Sequence, residues 1–283
     1  MSARRFLIVF LAVLVLALGL SLPARAQEKE PPAGWSYLTL DRNFDRLPAD
    51  WRDPHTGFKV FGADGRDGTL AEGSLGISAG LARHYNPESK RTWQFGLEAG
   101  FFALFDWSSG GSLSSRATDY WVGLNTTFSQ GPWQARLVLA HLSAHPGDWV
   151  LLNEDPDIKK VSWELLKGTV SWNGLNWLRL YAGGSYYLLH SEWAGKGDLQ
   201  TGAVFRYDLP DSPLTPYLSL DLQFRERTDW KVSTSVEGGF IIAGQDTDLA
   251  LRVYGFYYNG DNPSGTFRMT REVRYGAGLC VDF

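Results

Sequence analysis

Two residues in the stretch LVLAHLSAHPGDWVLL (137–152) could do covalent chemistry together, His141 and Ser143. On an extended chain, residues two apart share a face and lie roughly 6.6 Å apart, a gap an imidazole can bridge to a hydroxyl. Serine is a weak nucleophile until a base takes its proton, so the pair offers attack on an acyl ester. The base in turn needs a third polar group to hold its ring. Glu154 and Asp155, in the segment beyond, are the acids nearest to hand, with Asp148 a weaker choice. An oxyanion would be met by loop backbone amides near Gly147. His145 reads as a loop residue. The competing reading makes His141 and Ser143 the polar end of a strand. The face they occupy, and the medium outside it, decide between the two.

The elements that position the pair begin after a leader. Arg4 and Arg5 open the chain, Phe6 to Leu20 form an apolar run, and Ala24-Arg25-Ala26 supplies small residues for cleavage. This pattern is a secretory signal peptide over residues 1–26; an uncleaved anchor is the competing reading, against which the run is short of the roughly 20 residues a spanning helix needs. Cys280 is the single cysteine, so no internal disulfide can form. Net charge is −4 and unclustered, and no basic patch points to nucleic acid. Forty aromatics (12 Trp, 12 Tyr, 16 Phe) accompany 31 glycines, with no later segment apolar enough for a membrane helix. That composition points to an all-β chain, a closed antiparallel transmembrane β-barrel.

Alternation supports the barrel. Leu218, Leu220, Leu222 and Phe224 share one face, against Tyr217, Ser219, Asp221, Gln223 and Arg225 on the other. Trp93, Phe95, Leu97 and Phe101 likewise oppose Gln94, Gly96, Glu98 and Gly100. Runs of this period and length suit tilted strands crossing a bilayer. Twelve are expected, near 54–62, 74–84, 92–104, 118–128, 133–144, 159–172, 177–190, 198–208, 215–225, 229–243, 247–258 and 271–283. The last alternates Val273, Tyr275, Ala277, Leu279, Val281 and Phe283 and stops on the aromatic, which resembles the closing strand of bacterial outer-membrane barrels. Short turns such as SQGP and NGLN then lie in the periplasm and longer loops outside. Trp93, Phe128, Trp133, Trp172, Trp177, Tyr207, Tyr217 and Phe283 gather at the periplasmic interface. Residues 27–53 form a plug or a periplasmic segment, and 54–283 the barrel.

One strand resists. With Val161, Trp163 and Leu165 facing lipid and Ser162 and Glu164 inside, the same register carries Lys167 into lipid at mid-membrane, costing roughly 2–4 kcal/mol. A bulge near Leu166 would reverse the faces. The expected lumen then presents Glu98, Arg136, Glu164, Arg179, Asp221, Arg225, Glu237 and Arg252, charges of both signs that pair across the bore or line a narrow pore.

Several ordered stretches, among them ADWRDPHTGFKV, FGLEAGFFALFDW, HLSAHPGDWVL, VSWELLKGTVSW and YNGDNPSGTF, resemble the bacterial family called domain of unknown function 1207. The resemblance runs from about Asp50 to Phe283 and implies a Gram-negative outer-membrane protein without implying an activity. On the strand that begins at Trp133, Gln134 and Arg136 point inward and the register carries His141 and Ser143 to the lipid face at the outer end. A His-x-Ser pair there is similar to the arrangement in outer-membrane phospholipase A and lipid A deacylases. Ala144-His145 stands where the phospholipase pattern has Asn-Gly, and no calcium-ligand pattern is recognisable. Two functions remain: a structural barrel or narrow pore, and an outer-leaflet acyl hydrolase. Neither needs a metal or cofactor. The expected partners are membrane lipid and, during insertion, periplasmic chaperones and the barrel-assembly machinery.

Overall fold

The computed structural model describes residues 31–40, 42–107, 113–155, 157–190, 195–210, 212–244 and 249–282. Residues 1–26, expected as a leader, and Phe283 lie outside them. The elements are β1 (Gly34–Thr39), β2 (Thr56–Ala63), β3 (Thr69–Asn86), β4 (Arg91–Trp107), β5 (Leu113–Gln130), β6 (Trp133–Pro146), helix α1 (Asp148–Asn153), β7 (Val161–Leu175), β8 (Leu178–His190), β9 (Gly197–Arg206), β10 (Leu214–Arg225), β11 (Val232–Ala243), β12 (Ala250–Asp261) and β13 (Arg271–Asp282). All pair antiparallel with their neighbours, and β13 pairs with β2 from Val281↔Thr56 to Arg274↔Ala63. β2 to β13 therefore close into a twelve-stranded barrel.

β1 is a thirteenth strand that the alternation does not announce. Its reason is geometric. β2 has 8 residues and pairs only with Leu70 to Ser74 at the start of the 18-residue β3. β1 covers the far part of that edge, from Gly34↔Tyr85 to Thr39↔Gly80, so that Leu75 to Ala79 alone lie between the two strands. An uncovered edge would leave a row of unpaired backbone groups, and in hydrocarbon each such group costs several kcal/mol.

The faces sort by period two. Leu97, Val122, Leu124, Leu137, Leu139, Leu180 and Val253 are exposed on the outside, while Glu98, Asn125, Arg136, Thr169, Arg179, Asp221, Glu237 and Arg252 are buried inside. At the end where the strands are joined by short turns, Trp93 packs on Phe128 at 4.6 Å and Trp177 on Phe205 at 6.2 Å. Tyr217 does not join that girdle. It is buried in the lumen, donating to Glu237 Oε1 at 2.6 Å, because its parity is that of Ser219 and Asp221. Tyr207 is buried too.

Residues 42–55 run through the bore. Asp50 receives Lys167 Nζ and Gln200 Nε2, both at 2.9 Å. Asp53 accepts from Arg136 at 2.7 Å, and Arg46 pairs with Asp282 at 3.1 Å. Arg52 reaches Glu72 at 3.1 Å and Asp119 at 2.9 Å. The connection between β12 and β13 folds inward over this segment: Arg52 Nε donates to Pro263 O at 2.9 Å and Gly265 N to Asp119 at 3.1 Å. A cavity of about 100 Å³ remains in the lumen beside Asp50, Trp163 and Lys167.

β7 corrects the expected register. It pairs with β6 without interruption from Ala144↔Val161 to Trp133↔Trp172, so no bulge occurs near Leu166. Val161, Trp163 and Leu165 are buried inside with Lys167 and Thr169. They belong to an apolar cluster with Trp121, Val138, Ala140, Ala144 and Tyr187 at the outer end of the lumen. The irregularity sits across the ladder, where Leu188 of β8 is passed over between Glu164↔Leu189 and Leu165↔Tyr187.

The plug's ion pairs carry a prediction. Arg136→Met leaves Asp53 charged and buried with only the longer contact to Arg46 at 3.7 Å, which lowers unfolding stability in micelles by about 3 kcal/mol. Adding Asp53→Asn restores most of the loss. Unchanged urea midpoints in the single variant would refute the assignment of Asp53 to the lumen.

Candidate functional site

β6 alternates cleanly to its end. Ala140 and Ala144 are buried with Leu142 packed beside them, and His141 and Ser143 take the opposite, outer face. The two strands on either side bring their own outward residues level with them. Tyr120 of β5 and Ser162 of β7 are the register partners of Ser143, and Val122 and Glu164 are those of His141. Directly opposed side chains in antiparallel strands stand about 4.5–5.5 Å apart at Cβ. Across that gap His141 Nδ1 and Glu164 Oε1 lie at 2.9 Å, with side chains 47% and 37% exposed, values that put both on the exterior.

The chemistry of the contact follows from its atoms. An ionised carboxylate only accepts, so with Glu164 in that form the contact calls for a proton on Nδ1, and in that neutral tautomer Nε2 is left as the acceptor. Nε2 is therefore the nitrogen available to Ser143. Among the described residues the ring makes no hydrogen bond to Ser143 Oγ; His141 is held by Glu164 while Ser143 lies two residues along the same face, a looseness common in unliganded sites. His145, the last outward residue of β6, packs edge-on against Tyr120 at 5.8 Å. It is part of the strand rather than of a loop.

Position adds to the argument. The longer connections, including the segment that holds α1, lie at the end of the barrel reached by His141 and Ser143, a few residues before Pro146. Long loops mark the outer side and short turns the periplasm. Polar groups on a lipid face are nearly free at the interface and expensive at the midplane. An ionisable pair kept on that face calls for a functional reason.

Four sequence expectations are overturned here. Glu164 was expected in the lumen and stands outside, because the apolar Val161, Trp163 and Leu165 are the inward residues of β7. Glu154 was expected to orient His141 and instead forks onto Arg116 at 2.6 and 2.8 Å, with Arg66 at 3.7 Å; the hydrogen bond from Arg116 holds its carboxyl below the usual range. Asp155 accepts from the backbone of Asp157 at 3.0 Å, capping a turn. The amide of Gly147, expected to serve an oxyanion, donates to Arg116 O at 2.8 Å and is spent. One signal in the sequence could have found Glu164. Counting back from the inward Ser171, Thr169 and Lys167 without a bulge puts it on the outer face.

The remaining candidates are engaged inside. Glu98 accepts from Trp121 at 2.9 Å, Arg179 donates to Arg46 O at 2.7 Å, and Asp221 accepts from Tyr181 and Gln200, both at 2.7 Å. Arg225 donates to Ser233 at 3.0 Å, and Arg252 joins Glu237 at 2.7 Å to Asp282 at 2.5 Å.

The model of the family described as "Protein of unknown function (DUF1207)" matches residues 40–283, and the chain belongs to that family. No curated protein matches the sequence. Among solved structures the chain is similar to outer membrane phospholipase A from Escherichia coli, with a TM-score of 0.57, 14% identity, and coverage of 81% of this chain and 93% of that one. It is similar to the Salmonella typhi outer membrane phospholipase dimer with bound calcium, with a TM-score of 0.57, 13% identity and coverage of 85% and 95%. The KdgM porin also matches, with a TM-score of 0.43, 10% identity and coverage of 80% and 98%. The shared feature is the fold, that of an outer-membrane β-barrel.

The register that unites His141 with Glu164 can be tested directly. Opposed Cα atoms in antiparallel strands lie about 4.5–5.5 Å apart, within disulfide range. The variant His141→Cys/Glu164→Cys is expected to cross-link on mild oxidation, and His141→Cys/Trp163→Cys, the pair that a bulge near Leu166 would bring opposite each other, is not. A cross-link only in the second would restore the bulged register.

Proposed function

We propose that this DUF1207 barrel is an acyl hydrolase acting on ester-linked lipids of the outer leaflet, with Ser143 as nucleophile, His141 as general base and Glu164 as the acid that orients the ring. The observation that carries the reading is the 2.9 Å contact between His141 Nδ1 and Glu164 Oε1, beside Ser143 on the lipid face. Glu164 holds the tautomer whose Nε2 can accept a proton. Ser143 Oγ attacks the acyl carbonyl as Nε2 takes its proton, and the negative charge gathers on the carbonyl oxygen. The tetrahedral intermediate collapses, the C–O bond to the alcohol breaks, and the imidazolium returns its proton to the departing oxygen. Water, deprotonated by His141, then cleaves the acyl-serine to a free fatty acid. Glu164 stabilises the imidazolium in both halves, as acids of such triads do. With the Gly147 amide committed, the hydroxyl of Tyr120, the cross-strand neighbour of Ser143 on β5, is the donor this reading assigns to the oxyanion.

The similar solved structures include phospholipases of the outer membrane. At their low identity they support the scaffold, and the reaction rests on the residues above. In this reading the chain reaches a Gram-negative outer membrane through a leader cleaved after Ala26, and periplasmic chaperones and the barrel-assembly machinery insert it. The mature protein isolated from membranes then begins at Gln27; an intact Met1 start would remove the leader from the account.

A second reading keeps the barrel without catalysis, as a rigid envelope component. The filled lumen and its lattice of ion pairs favour that over a conducting pore. Assays on purified protein separate the two. Ser143→Ala and His141→Ala are expected to lower fatty-acid release from phospholipid or lipid A by about 10⁴-fold or more, and Glu164→Gln by roughly 10²–10⁴-fold. Glu154→Ala leaves release within about twofold, since surface changes away from a site act weakly. Equal product from wild type and Ser143→Ala would leave the non-catalytic reading standing.

A further inference from the structure

The lipid face of the strands that hold the triad is not smooth. A trough of about 440 Å³ runs across it from Trp93 on β4 to Ala182 on β8. Its floor is made by small outward residues, Ala135 of β6, Gly168 of β7 and Ala182 of β8, at positions where neighbouring rows carry leucine, tyrosine or tryptophan. Its lower wall is aromatic, with Trp93 packed on Phe128 at 4.6 Å. Leu137 beside Gly168, and Val170 between Ala135 and Ala182, line it as well.

Depth gives the trough its meaning. Gly168 is the register partner of Leu137, which lies six residues below Ser143 on β6, roughly 20 Å along the strand. For strands tilted about 35–45° this descends about 15 Å, half of a hydrocarbon core about 30 Å thick. The upper end of the trough, at Gly168, thus lies at the depth of the methyl ends of outer-leaflet chains, with the Ala135–Val170–Ala182 row below it, while Ser143 lies at the depth of their esters. Because it spans five adjacent strands, it stays beneath the pair whichever way the strands lean. Between the two, Leu139 and Leu166 stand opposite each other as a low ridge. An acyl chain whose carbonyl meets Ser143 crosses that ridge and drops where Gly168 has no side chain.

We infer that this trough binds the distal end of the acyl chain under attack, and that the protein selects long-chain acyl esters. The inference rests on the hydrolase reading and adds a substrate class to it. A chain entering the trough exchanges one apolar environment for another, so no hydrophobic transfer drives the step. What the trough contributes is close packing that aligns the chain, and alignment acts on the rate of attack. Short chains end above the trough and gain nothing from it.

Gly168 offers a clean test. A Cβ built there meets only Leu137 Cδ1, at 3.8 Å, so a side chain fills the trough without pressing on backbone. The purified full chain in detergent micelles is assayed with two phosphatidylcholines of identical headgroup, one with eight-carbon and one with sixteen-carbon chains. Wild type is expected to favour the long chain in kcat/KM by about tenfold or more, the order of effect that misalignment removes. Gly168→Leu and, independently, Ala182→Leu abolish that preference by slowing the long-chain lipid alone. Ser143→Ala loses both. Heat-modifiable gel mobility reports that each variant is folded, and Gly168→Ala serves if the larger side chain prevents assembly. Release that depends on Ser143 but shows the same length preference in wild type and trough variants overturns this inference and leaves the hydrolase. Absence of Ser143-dependent release from either lipid overturns the hydrolase reading and this inference with it.

Discussion

In hydrocarbon an unpaired backbone amide or carbonyl has no water to turn to, and this governs the whole chain. A sheet surrounded by lipid is stable only when it has no edge. The closure of β13 on β2 meets that demand at the outer half of the seam, and β1 meets it along the edge of β3 that β2 is too short to cover. Once the sheet is closed, each strand has one face to the lipid and one to the bore, and the period-two pattern must be obeyed from end to end. The positions of the plug, the loop over it and the reactive pair follow from that parity.

Closure sends a large set of charges into a confined bore. There they must satisfy one another, since an unpaired buried charge is far more costly than a paired one. Residues 42–55 supply the missing partners: Asp50 for Lys167, Asp53 for Arg136, and Arg52 for Glu72 and Asp119. The inward loop after β12 completes the packing, Gly265 approaching Ala144 so closely that a Cβ would meet its methyl at 2.7 Å. Ala144 is the inward neighbour of Ser143. The plugged lumen thereby forms a firm backing for β6 and β7, the two strands that hold His141, Ser143 and Glu164 in register. A rigid support of this kind is what a preorganised site requires.

The reactive groups themselves lie outside this scaffold, where the sheet faces lipid. Nothing about barrel stability calls for a histidine and a glutamate there, since an outward pair is neither needed to fill the bore nor favoured by hydrocarbon. Placing His141 and Ser143 on one strand and Glu164 on the next makes their mutual distance a property of strand pairing, which the backbone ladder fixes without help from loops. The same ladder sets the spacing between the serine near the outer interface and the small-residue trough at the midplane, so one register serves both.

Alternation, turn spacing and the resemblance to its family were enough, from the sequence by itself, to specify a closed barrel of twelve strands, its direction, its polar interior and the outward face of His141 and Ser143. These are local properties, because side-chain parity along one strand is set by the chain alone. The third member of the site was not legible. Val161, Trp163 and Leu165 look lipid-facing by hydrophobicity, and only the tertiary structure shows that they pack against Trp121 and Tyr187 within the lumen, which turns Glu164 outward. Glu154, near in sequence, is drawn away by Arg116 of another strand. β1 and the path of residues 42–55 were undecided for the same reason. A strand's parity is written in its own residues, whereas the face that counts as inside, and the partner that waits across the ladder, exist only when distant strands have met.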